Sequence, residues 1–337
     1  MSSRNGILAA GTWLVDTIKL LDAFPEQEHL CNVLSQTQAN GGCPYNVLKD
    51  LSKMQCAFPL EAAGIVGNDA NGEYIINDCK EHGIDVSRMQ VLENQITSFT
   101  DVMTDSQTGK RTFFHCRGCN GLLEPKHIDI KSSNAKIFLE GYMGLHDKMD
   151  ACDESGENGH SVIFRKAKES GFITVADLVT SNSDFYKIAD ASLKWLDILS
   201  INEIELQMIA GVEVDTSTAK DMQKVESLAK SILDRGLGKF IVVHFPECAV
   251  AFDKSGAKYV QPSLNIPQEC VAGSVGAGDA FMAGILWAVH EEKSIQEALV
   301  AGVCSAAHSL FDSSASGSIV PVEESMQLIA KYGFRKI

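Results

Sequence analysis

From the middle of the chain onward, short β-branched apolar runs alternate with longer stretches of helical spacing. KIFLEG (Lys136 to Gly141), FITVADL (Phe172 to Leu178), DILSIN (Asp197 to Asn202) and KFIVVHF (Lys239 to Phe245) are nearly continuous in apolar residues. They read as strands buried on both faces. Between them lie a helical stretch ending near Ser170, another from Glu203 to about Ala210, and a third spaced from Lys220 to Leu233. Ile7 to Ala10 reads as a further strand. This rhythm predicts an α/β fold, with a mostly parallel central sheet flanked by helices on both faces.

The first third of the chain is patterned differently. TIKLL (Thr17 to Leu21), HLCNVLSQ (His29 to Gln36), SFTDVMT (Ser98 to Thr104) and RTFFHC (Arg111 to Cys116) are separated by turn-rich pieces such as DSQTGK. They predict antiparallel hairpin strands, too few to bury a core of their own. The expectation is a single domain over residues 1–337, with lid strands inserted at about 16–38 and 97–117. These would form a small β-sheet lid over the mouth of the main sheet, with a hinge at Gly41-Gly42. Free edges on such a lid predict a homodimer through it. DESGENGH (Asp153 to His160) reads as a polar loop.

Charge narrows the function. The chain carries 44 Asp plus Glu against 29 Lys plus Arg, a formal net charge of −15. Nucleic acid and anionic membrane are poor partners for such a surface. An anionic substrate would need a pocket made positive by backbone dipoles, a metal or a few cations. No apolar run reaches membrane-spanning length. The ILAAGTWLV run after Arg4 is closed by Asp16 without a cleavage pattern, so it is not read as a signal peptide. The 10 cysteines are scattered, which suits reduced thiols in a cytoplasmic protein. Cys116 and Cys119 form a C-x-x-C pair with no second pair or His pair to complete a zinc site. The Walker phosphate loop, the H-E-x-x-H zinc helix and the G-x-S-x-G nucleophile elbow are all absent.

One stretch does carry chemistry. GSVGAGDAFMAGILWAV (Gly273 to Val289) sets Gly276, Ala277, Gly278 and Asp279 before a long apolar helix predicted from Ala280. First-turn N–H groups have no intrahelical partner, and small residues leave them open to an anion. An adjoining carboxylate could orient and deprotonate an alcohol beside that anion, the arrangement phosphoryl transfer needs. An Asp at a helix start is equally well a cap. The stretch alone leaves both readings open.

Taken with the pieces that precede it, this segment resembles the ribokinase-like (PfkB) carbohydrate kinase family over nearly the whole chain. GTWLVD ends in Asp16, which matches the family's sugar-binding Asp. GGCPYN resembles its G-G-x-x-x-N signature, which implies that Gly41 and Gly42 act as hinge and sugar contact and Asn46 as a sugar ligand. GIVGNDANG (Gly64 to Gly72) is similar to a structural segment of the family. NEIE supplies Asn202 and Glu205, an N-x-x-E that implies help in placing ATP phosphates and Mg2+, Glu205 acting through water. On residue spacing alone that pair is also a capping box, and Asp16 and Asn46 are also turn and helix-start residues. GAGD implies an anion hole at Gly276, Ala277 and Gly278, with the base at Asp279.

The resemblance implies a ribokinase-like fold and an ATP-dependent sugar kinase. A nucleoside kinase of the same fold and a non-catalytic sugar-binding regulator are the alternatives. Two departures stand out. Gly273-Ser274 replaces an Asp-Thr, which removes a side chain for a monovalent cation while keeping a hydroxyl at Ser274 for phosphate. Pro246 replaces a glycine just after His244, on the nucleotide side. Glu140, at a strand end, is placed where some relatives bind sugar. Arg117 or His115 could reach a substrate anion, or belong to the lid surface. Trp13, Phe99 and Phe114 could line the pocket or simply pack.

Overall fold

The structure is a computed structural model that describes residues 4–181 and 183–337. Strand β1 (Ile7–Gly11) is followed by β2 (Leu14–Leu21), β3 (Val33–Gly41) and helix α1 (Cys43–Lys53). Next come β4 (Leu60–Gly67), α2 (Ala70–Glu81), β5 (Asp85–Leu92), β6 (Phe99–Asp105) and β7 (Arg111–Cys116). The middle of the chain forms β8 (Ile137–Met143), α3 (Asp147–Asp150), α4 (Gly159–Glu169), β9 (Ile173–Leu178), α5 (Phe185–Leu193), β10 (Ile198–Asn202), α6 (Glu203–Ala210) and α7 (Met222–Asp234). The remainder is β11 (Phe240–His244), β12 (Cys248–Asp253), β13 (Lys258–Pro262), α8 (Ala277–His290), α9 (Ile295–Ser309) and α10 (Val322–Tyr332).

The main sheet has 9 strands in the order β13-β12-β11-β10-β9-β8-β1-β4-β5. Pairing is parallel from β11 through to β5, and antiparallel at β11-β12 and β12-β13. Strand alternation divides the core between two faces. Ile7, Ala9, Ile137 and Leu139 pack with Leu48 of α1, Leu286 of α8 and Leu299 of α9. Leu8, Ala10 and Phe138 pack with Phe164 of α4, Ile188 of α5, Leu206 of α6 and Ile232 of α7. Each Leu, Ile or Phe so taken out of water contributes ~1.5–3 kcal/mol, which is why the strands read as unbroken apolar runs.

The second sheet has 4 strands in the order β3-β2-β6-β7. Its hairpins β2-β3 and β6-β7 are antiparallel as expected, but β2 and β6 join them in parallel. Strand β3 starts at Val33 and runs through Gly41, so Gly41 closes the strand rather than following it. The lid leaves Leu30, Leu34, Phe113 and Phe114 exposed.

Other boundaries also differ from expectation. Strands β4 and β5 and the antiparallel pair β12 and β13 were not anticipated. The polar stretch 153–160 ends inside α4: Asn158 caps that helix by accepting from Ser161 N, and His160 is fully buried. Helix α8 begins at Ala277 rather than Ala280. Glycines weaken helix propensity, yet Gly276 supplies a left-handed N-cap at φ 75° from which the helix can start. All 10 cysteines are free. No described helix is long and apolar enough to cross a membrane.

The join between lid and core is tight. Gly42 precedes α1 at φ 89°, and a Cβ there would be driven into the Thr12 carbonyl oxygen. Both the backbone angle and the space require glycine. Gly42→Ala is therefore expected to cost about 1–3 kcal/mol, read as a lowered Tm in thermal denaturation. An unchanged Tm would show that the join tolerates a side chain.

Candidate active site

The C-terminal ends of the parallel strands β8 to β11 and the start of α8 converge on one cleft, where open α/β sheets place their ligands. Asp279 is the third residue of α8, and no side chain caps that helix. Its carboxylate is 4% exposed. It accepts hydrogen bonds from Asn46 Nδ2 at 2.7 Å and from the Tyr142 hydroxyl, 2.8 Å from each oxygen. The capping reading therefore fails; Ala277 N donates to Ser274 O at 3.4 Å, and the N–H groups of Gly278 and Asp279 are left to the cleft. A Cβ added at Gly278 would meet nothing nearer than His244, at 3.7 Å, so the helix start is sterically open there.

Residues from distant segments lock this carboxylate in place. Asn40, near the end of β3, donates from Nδ2 to Asn46 Oδ1 at 2.7 Å and to Ser316 Oγ at 3.0 Å. That fixes the Asn46 amide with its own NH2 toward Asp279. Gly41 lies against Asp16, the β2 carboxylate paired in register with Thr100 of β6. Cys43, Asp177 and Asp279 each place a donor atom within 4.8 Å of the others. The electrostatics follow from burying acids together. Burial pushes Asp279 up to about 6, against the hydrogen bonds from Asn46 and Tyr142. Burial raises Asp16 to about 7, with the charge of Asp279 adding to it and the Thr100 hydroxyl opposing. Asp177 is raised well above the usual carboxylate range by burial and then by the charges of Asp279 and Glu205.

Two cavities meet at the start of α8. One, of about 300 Å³, is lined by Tyr142, Asp177, Thr180, Glu205, Gly276 and Asp279 among others. The second, of about 500 Å³, is mainly apolar and lies between Phe245, Leu264, Val271, Phe281 and Leu310. Asn202, His244, Ser274, Ala277 and Gly278 border both. Asn202 and Glu205 do form the capping box. Asn202 Oδ1 accepts from the N–H groups of Ile204 and Glu205, and Glu205 Oε2 accepts from Asn202 N at 3.0 Å. Glu205 Oε1 accepts from Thr180 Oγ1 at 3.1 Å. His244 is held neutral, its pKa lowered to about 4 by burial. Pro246 lies in the turn between β11 and β12.

Some expected residues stand elsewhere. Glu140 is fully buried on the far face of the sheet, 2.6 Å from His160 Nδ1, and does not line the cleft. Alternation explains this: Glu140 shares the face of Phe138, opposite Leu139. Arg117 pairs with Asp147, and His115 pairs with Thr100 Oγ1 at 3.1 Å. Trp13 packs in the core, its Nε1 donating to Ala63 O at 3.0 Å, while Phe114 is exposed. The cation that does cross from the lid is Arg111, whose Nη2 would lie 3.1 Å from a Cβ on Gly273. Tyr142 and Asp177 were not singled out from the sequence, and Arg111 was placed at the lid without a role. Asp177 ends a strand that was recognised, and the end of a parallel strand is the signal that could have found it.

Comparison with known proteins identifies the family and the fold. A family model described as pfkB family carbohydrate kinase matches residues 5–322. The chain is 25% identical over 308 residues to a 5-dehydro-2-deoxygluconokinase of Clostridium perfringens, covering 86% of this chain and 84% of that one. It is 23% identical over 266 residues to a ribokinase of Haemophilus influenzae, covering 78% and 79%. The fold matches an Arabidopsis thaliana ribokinase complexed with ribose and ATP at TM-score 0.78 and 20% identity, covering 97% of this chain and 99% of that one. With the family match extending over nearly its whole length, the chain belongs to the pfkB carbohydrate kinases, phosphotransferases that act on an alcohol group.

Proposed function

We propose that this kinase transfers the γ-phosphoryl group of ATP to a sugar hydroxyl, with Asp279 as the base and Gly276, Ala277 and Gly278 as the anion hole. The observation that carries the reading is the Asp279 carboxylate, buried in the first turn of an uncapped helix and gripped by donors from two other elements. The Tyr142 hydroxyl marks where an alcohol O–H can sit against it. A base with a pKa of about 6 is ionised at neutral pH yet basic enough to accept a proton late in a loose transition state. Asp16, Gly42 and Asn46 border the acceptor side. The apolar cavity suits a purine, and Ser274 and the α8 amides face the phosphates.

The donor set also suits Mg2+. Asp177 and Glu205 offer hard carboxylate oxygens at the cleft, as that ion prefers, and both Glu205 oxygens are already hydrogen-bonded, which favours contact through water. When bound there, Mg2+ neutralises phosphate charge. Closing of the lid over the acceptor would exclude water and keep Arg111 beside Gly273.

Asp279→Asn is expected to lower kcat by roughly 10²–10⁴-fold while leaving sugar affinity nearly unchanged, measured by ADP release and by calorimetry. The same variant is expected to be more stable. The pKa of Asp279 is raised from 3.8 to about 6 on folding, so the folded state loses stability as pH rises through that range. The charge then costs about 3 kcal/mol at neutral pH. A higher Tm at pH 7.5, falling back toward wild type near pH 4, is the predicted signature. Unchanged turnover would remove Asp279 from the reaction.

The pH profile gives a separate check. Activity should rise with pH through an acidic limb near 6, as Asp279 loses its proton. Tyr142→Phe removes a donor that favours the carboxylate, so the limb in kcat/KM should move up by roughly half a unit to one unit. A limb that stays in place would mean that another group titrates.

A further inference from the structure

Behind the sheet, Glu140 of β8, His146 ahead of α3 and His160 of α4 share a pocket with no exposed surface. One donor atom of each lies within 4.8 Å of the other two. Both imidazoles are fixed from outside. His146 Nε2 is 3.0 Å from Thr12 Oγ1, and His160 Nε2 is 2.8 Å from Asp150 Oδ1. Asp150 is itself anchored by the N–H groups of Gly144 and His146, each at 2.9 Å. Each ring therefore has its Nδ1 left for the interior. His160 Nδ1 meets Glu140 Oε1 at 2.6 Å. His146 Nδ1 and Glu140 Oε2 are buried with no hydrogen-bond partner among the described residues.

Orphaned polar atoms of this kind are costly in a native interior and need a partner. The cluster pools two carboxylates and two imidazoles, and its only internal source of positive charge is a histidine proton. A divalent ion in place of that proton would balance both carboxylates at once. The outer hydrogen bonds match how metal-binding histidines are held, with the second ring nitrogen given to a carboxylate or another oxygen. Imidazole with carboxylate is a donor set for zinc and its neighbours, not for magnesium.

We propose that Glu140, His146 and His160 bind one divalent transition-metal ion of the zinc class, with Asp150 and Thr12 as the outer supports. The ion joins β8, α4 and the segment before α3. It braces the strand end that carries Tyr142, whose backbone N donates to Thr12 Oγ1 at 3.2 Å. The site is separate from the cleft, where Cys43, Asp177 and Asp279 cluster. Because the pocket is sealed, the ion is expected to load during folding and to exchange slowly.

The test is to express the full chain in medium supplemented with Zn2+ or Co2+, dialyse it against EDTA, and measure bound metal and the visible spectrum. Close to one ion per chain should survive dialysis. The cobalt form should show d–d bands without thiolate charge transfer. Glu140→Gln and His146→Gln should each reduce retained metal at least tenfold. Wild-type protein without retained metal and without a cobalt spectrum would overturn the proposal, leaving a buried water as the partner of those polar atoms. So would a thiolate charge-transfer band, which would place the ion at Cys43, or metal retained undiminished in both variants. If the variants fail to fold, the wild-type metal content and spectrum still decide the question.

Discussion

The constraint on which the rest depends is a negative charge kept out of water at the start of a helix. The Asp279 carboxylate is held by a side chain from α1 and another from β8, and each of those is held in turn by neighbours from other segments. Lid, hinge, central strands and C-terminal helices are thereby tied to a single oxygen pair. The helix dipole and the hydrogen bonds favour the charge, burial opposes it, and burial wins by enough to leave a base that titrates near 6.

That balance sets stability against function. Asp16, Asp177 and Asp279 all have raised pKa values in the cleft because each is desolvated, and the charge of Asp279 raises the other two further. An acidic pocket is a poor host for polyphosphate by itself. On the proposed function, the backbone amides of α8, the Arg111 guanidinium from the lid and hard-cation ligation on carboxylate oxygens would together suit the cleft to a highly charged nucleotide.

Much of this was legible in the sequence, for physical reasons. Five of the parallel strands, β1 and β8 to β11, stood out because strands buried on both faces read as apolar runs, and the helices between the later ones kept their spacing, whereas β4 and β5 went unread. The GAGD stretch and the two short signatures upstream of it pointed to the cleft. What escaped depended on pairing or on local irregularity. Nothing in β2 or β6 announces that they lie side by side in parallel. The start of α8 was displaced because two glycines look like loop until Gly276 is seen to be left-handed. Glu140 was put on the wrong face, although alternation from Leu139 assigns it to the back. Tyr142 would share that back face by the same count. It reaches Asp279 instead because the register of β8 shifts between Glu140 and Met143, and a sequence does not display such a shift.

The central claim is tested most directly by a crystal structure with a non-hydrolysable ATP analogue, Mg2+ and an acceptor sugar. The account predicts the terminal phosphate against the N–H groups of Ala277 and Gly278, and the acceptor oxygen within hydrogen-bonding reach of Asp279. A terminal phosphate seated away from the start of α8, or an acceptor whose hydroxyls turn from Asp279, would contradict it.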